Sequence, residues 1–142
     1  MRIEIVDIDR SERILVGESF LGYKVTFSCP LVSGAAVLVP YTGFEDKLTP
    51  GASLSVETSH EKVTNLNIIN DSFNDSISKT AKEGNYQIVG TVGLNIEDEV
   101  FYIDVVDFTF ILDVEETEGV KPKKSDRVQF LIHGLTLWDE NI

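Results

Sequence analysis

The stretch NYQIVGTVGLNI, residues 85–96, decides the fold. Tyr86, Ile88, Val92, Leu94 and Ile96 fall on one side of an extended chain, and Gln87, Thr91 and Asn95 fall on the other. A period of two is the mark of a strand that buries one face, because successive side chains on a pleated backbone point to opposite sides. The same pattern recurs. In LGYKVTFSC, Leu21, Tyr23, Val25, Phe27 and Cys29 share a face against Lys24, Thr26 and Ser28. In ASLSVE, Ala52, Leu54 and Val56 point inward. In RVQFLIHGLTLW, Val128, Phe130 and Ile132 point inward, after which the apolar parity passes to Leu135 and Leu137. A bulge at Gly134 accounts for that switch, since one extra residue turns every later side chain over.

Turn chemistry separates the runs: VSG at 32–34, TPG at 49–51, EDE at 97–99 and EGVKPKKSD at 118–126. EDE lacks Gly and Asn, so a loose hairpin loop is expected there. One segment reads as a helix. In DSFNDSISKTAKEG, Phe73, Ile77 and Ala81 are spaced by four, Ser72 stands at a capping position with Asp75 three residues on, and Gly84 closes the pattern. Two stretches, 37–57 and 108–132, run in the same order of apolar strand, acidic loop, Pro-containing turn and strand, which reads as two ordinary hairpins.

These elements fill the 142 residues without a linker and predict a single β-rich domain over 1–142: a mainly β, antiparallel barrel or small sandwich with one short helix near residues 72–83. The order of strands, helix and further strands is similar to an OB-type barrel. VKPKKSDRVQF, residues 120–130, looks like the turn-then-strand segment of small barrels, with Ser125 where such turns often carry Gly.

Charge narrows the function. The chain has 24 acidic and 12 basic side chains, a formal net charge of -12. Such a field repels nucleic acid and anionic lipid, whose phosphates need Lys and Arg, and attracts basic partners. The acid is uneven: no Lys or Arg lies between Lys82 and Lys121, while ten acidic residues do. The basic group Lys121, Lys123, Lys124 and Arg127 adjoins Glu115, Glu116 and Glu118, which can offset it. The opening MRIEIVDIDR lacks the apolar run of a signal peptide, no segment has the length of a membrane span, and Cys29 is the single cysteine. A cytoplasmic setting is the expectation.

No catalytic constellation is visible. Cys29 sits on an apolar strand face and reads as core. His60, in SHEK, is expected at a turn, and His133 on the polar side of its strand. Neither has a partner at metal-ligand spacing, and DVEETEG lacks the order of a calcium loop, so neither a metal nor a cofactor is expected. Asp104 shares parity with Val100, Tyr102, Phe108 and Phe110, so an unbroken strand would bury it. A bend within DVVD, leaving Asp104 and Asp107 at a corner, avoids the penalty of burying a carboxylate.

The leading expectation is therefore a non-catalytic acidic domain that recognises a basic protein. Its surface would carry Glu97, Asp98, Glu99, Asp113, Glu115, Glu116 and Glu118, with Tyr102 and Trp138 as aromatic anchors. By size and charge it is similar to the bacterial immunity proteins that inhibit basic toxins. A barrel binding a small ligand or oligonucleotide is the alternative, and a small carboxylate-dependent enzyme the third reading.

Overall fold

The computed structural model describes residues 1–141 and is built almost wholly of strands. In chain order these are β1 (Arg2–Val16), β2 (Phe20–Ser28), β3 (Ser33–Val39), β4 (Ser53–Ser59), β5 (Lys62–Ile69), β6 (Ser76–Lys79), β7 (Tyr86–Ile96), β8 (Val100–Val105), β9 (Phe108–Asp113), β10 (Arg127–His133) and β11 (Thr136–Asp139). A 3-10 turn, Glu45–Lys47, is the one helical element among the described residues.

The strands form two sheets. One closes into a barrel in the order β1-β2-β3-β11-β4. The other runs β5-β10-β7-β8-β9, with β6 beside the first half of β7. The barrel is not purely antiparallel: β11 runs parallel to β3, Thr136 opposite Val37 and Trp138 opposite Val39. Gly134, with φ of 71°, is where the chain leaves the second sheet for the barrel, so the parity switch expected as a bulge is a change of sheet.

One continuous apolar cluster runs through both layers. From the barrel come Ile3, Ile5, Val25, Phe27, Leu38 and Leu137; from the second sheet come Ile88, Phe101, Ile103, Phe110, Leu112 and Phe130. Phe110 meets Phe130 edge-on, ring centres 6.1 Å apart. Truncating Phe130, which is fully buried, to Ala removes packing worth about 3–5 kcal/mol.

Three expectations are corrected. There is no helix at 72–83. Ser72 donates its N–H and hydroxyl to the Asn70 side chain in an Asx turn, Phe73 and Ala81 are exposed, and Ile77 is buried because it pairs with Ile88 across β6 and β7. The spacing of four was a four-residue strand between turns. Neither 37–57 nor 108–132 is a hairpin, since β11 lies between β3 and β4, and β7 and β8 lie between β9 and β10. Leu21, Leu94 and Ile96 are exposed rather than inward. For the last two the cause is a bulge at Gly93: the ladder to β8 slips between Val92 and Leu94, and the parity inverts. A Cβ at Gly93 would strike the Asp104 carboxylate.

The bend at DVVD is present as the β8–β9 turn, with Val105 opposite Phe108. Phe101, Ile103 and Val105 point into the core, while Asp104 faces solvent and accepts a hydrogen bond from Thr109 at 3.2 Å. Ser125, at the position noted for Gly, has φ of 76°.

Candidate functional site

The two acidic segments meet at one end of the second sheet. Val100 on β8 stands opposite Asp113 on β9, and the next residues continue the ladder, Val114 N–H donating to the Glu99 carbonyl at 2.8 Å. This places loop 97–99 beside turns 113–119.

Loop 97–99 is tight, not loose. Glu99 N–H closes on the Ile96 carbonyl at 2.9 Å, with Glu97 and Asp98 at φ of 53° and 58°. Asn95 supplies what Gly would otherwise ease: its Oδ1 accepts from Asp98 N–H at 2.8 Å, and its Nδ2 donates to the Asp98 carboxylate at 2.8 Å and to the Pro122 carbonyl at 2.9 Å. The Gly93 bulge is what turns Asn95 toward Pro122.

Turns 113–119 are held by a reciprocal cap. Asp113 Oδ1 accepts from Glu116 N–H at 2.8 Å, and Glu116 Oε1 accepts from Asp113 N–H at 3.2 Å. Buried Thr117 donates its hydroxyl to the Val120 carbonyl at 2.7 Å. The spacing D-x-x-E at 113–116 was a readable signal for this cap. The other oxygen of Glu116, Oε2, lies 2.7 Å from His60 Nε2 at the β4–β5 turn. Asp113 and Glu116 are thus scaffold. Glu97, Glu99, Glu115 and Glu118 are exposed, and among the described residues none of them forms an ion pair.

Next to this acid lies an apolar row. Leu94, Tyr102 and Ile111 are cross-strand neighbours on the outer face of β7, β8 and β9, followed by Ile96, Val100 and Asp113. Leu94, Ile96 and Ile111 are 43%, 41% and 53% exposed, and Tyr102 is half-buried at the centre. Trp138 is elsewhere, on the barrel: its indole N–H donates to the Ser59 hydroxyl at 2.7 Å and Phe20 packs edge-on at 5.0 Å.

Two grooves flank Ile111. One, of about 640 Å³, is bounded by His60, Glu61, Lys62, Glu115 and Glu118. The other, of about 430 Å³, is bounded by Glu57, Tyr102, Asp107 and Glu140. His133 has both ring nitrogens engaged, Nε2 at 2.8 Å from the Thr64 hydroxyl and Nδ1 at 3.2 Å from Asn85 Nδ2. Cys29 packs against the core with its thiol toward the Val32 carbonyl. Arg127 is committed to Asp75, Thr91 and the Phe73 carbonyl. Among the described residues no group of three His, Cys, Asp or Glu side chains converges as metal ligands. No helix there is long and apolar enough to cross a membrane.

Comparison with protein-family models, with curated proteins and with solved structures returns no match.

Proposed function

We propose that the protein is a non-catalytic binding domain of the cytoplasm that recognises a basic protein through the acidic end of its second sheet. The observation that carries this reading is the outward-facing row Leu94–Tyr102–Ile111 across three strands, exposed at Leu94 and Ile111 and adjoined by carboxylates without ion-pair partners among the described residues. A contiguous apolar strip with a charged rim is the anatomy of a protein-recognition surface: the apolar centre supplies affinity and the rim steers encounter. Tyr102, rigid and amphipathic, is the anchor. Inhibition of a basic toxin or nuclease fits this size and sign of charge.

Capture from a lysate of the source organism tests the reading. The protein is immobilised and bound material is eluted with a salt gradient. A basic protein leaving at moderate salt is expected. It should be lost from two variants, Tyr102→Ala and the combined Glu97→Gln, Glu99→Gln, Glu115→Gln and Glu118→Gln. Recovery of no basic protein, or equal recovery by both variants, contradicts the proposal.

A further inference from the structure

We propose that the trench between β9 and β4 takes an extended lysine- or arginine-bearing segment of the partner, an inference that rests on the reading above and assigns the mode of binding. The two grooves share Thr58 and Ile111, so they are two halves of one trench along β9. Thr58 Oγ1 bridges to the Thr109 carbonyl at 3.2 Å between the halves. β9 is the edge strand of its sheet and, among the described residues, pairs with β8 alone.

Both halves of the trench carry carboxylates. Glu57, Asp107 and Glu140 line one half beside Met1 and its terminal ammonium, and Glu61, Glu115 and Glu118 line the other beside Lys62, so carboxylates outnumber cations in both. A second, independent feature asks for a donor. His60 forms part of the larger groove's wall with its side chain only 7% exposed. A carboxylate only accepts, so the contact with Glu116 puts the proton on Nε2. Nδ1, which accepts in the Nε2–H tautomer, is the one buried side-chain nitrogen or oxygen among the described residues without a hydrogen-bond partner. Ammonium and guanidinium groups are donors that carry the charge the trench complements.

The occupant's shape follows from the trench. β9 has six residues and spans about 20 Å at ~3.4 Å per residue, and the two grooves lie along it. Same-face side chains of an extended segment recur about every 7 Å, which lets one segment cross the Thr58–Ile111 saddle and send cationic side chains into both halves.

The test uses a fluorescein-labelled decapeptide of alternating lysine and threonine, read by fluorescence polarisation. A stapled helical lysine–alanine decapeptide of equal charge is the comparator. The extended peptide is expected to bind the full chain. Its Kd should rise about tenfold in the Glu57→Gln, Glu61→Gln double variant and change less than about threefold in Glu12→Gln, Glu18→Gln, which lie outside both grooves. All four positions are exposed, so the fold tolerates the changes. Equal binding of the helical peptide, or an equal loss in the Glu12→Gln, Glu18→Gln variant, overturns the trench while leaving recognition of a basic protein standing. Failure of the extended peptide to bind while a basic partner is still captured does the same. Failure of both peptide binding and capture removes the two proposals together.

Discussion

Tyr86 on β7 donates its hydroxyl to the carbonyl of Ala35 on β3 at 2.6 Å, pinning the second sheet to the barrel wall. Gly34 leaves the room, since a Cβ there would collide with the phenol. Tyr86→Phe leaves the half-buried Ala35 carbonyl without this donor and should destabilise the fold by about 1 kcal/mol in urea unfolding. Burial pushes the Tyr86 phenol up to about 12 from the ordinary 10.0. The folded chain therefore holds this proton where the unfolded chain gives it up. The stabilisation is complete below pH 10 and is lost as pH rises toward 12. Tyr86→Phe should lack that component of alkaline unfolding.

His133 gives a dependence at the other end. Burial first, then Lys62 and Lys82, hold its pKa below the ordinary 6.5, with Glu61 opposing. A proton on Nδ1 would face the amide N–H of Asn85. The unfolded chain thus binds the proton more readily, and the stability this confers falls as pH drops through 6.5 toward the lower folded value. Melting temperatures from neutral to mildly acid pH should show a decline that His133→Gln flattens relative to the parent.

Arg127 clamps the segment before β6 to β10 through Asp75, Thr91 and the Phe73 carbonyl, with its side chain 14% exposed. Arg127→Met removes three bonds and leaves Asp75 without its cation. A loss of about 2 kcal/mol is expected, and hydrogen exchange should quicken first at Ser76–Lys79.

Val106 occupies the β8–β9 turn with φ of 55° and is well exposed. A β-branched residue is poorly suited to that backbone. Val106→Gly should stabilise by roughly 1 kcal/mol, seen as a raised Tm, because relief of the left-handed strain exceeds the entropy that Gly adds to the unfolded chain.

Alternation made most of the strands legible, because a half-buried strand must repeat with period two. It failed where the backbone broke its own period. The Gly93 bulge inverted Leu94 and Ile96, and a Gly inside a strand is itself the sign of such a bulge. The segment around Ile77 mimicked a helix because one buried residue between two turns has no period to read. The acid block was visible as composition. That loop 97–99 and turns 113–119 abut depended on the β8–β9 register, which a two-residue turn fixes and composition does not reveal. The Leu94–Tyr102–Ile111 row was hidden for the same reason. Tyr102 belongs to that row, whereas Trp138 is held on the barrel by Ser59 and Phe20.

The most direct measurement of the central claim is the association rate of the protein with its captured basic partner across a salt series. Recognition by the acidic end predicts a rate that falls steeply as salt rises and a flatter series when Glu97, Glu99, Glu115 and Glu118 are changed to Gln, with Tyr102→Ala acting mainly on the dissociation rate. An association rate indifferent to salt and to those four substitutions would contradict it.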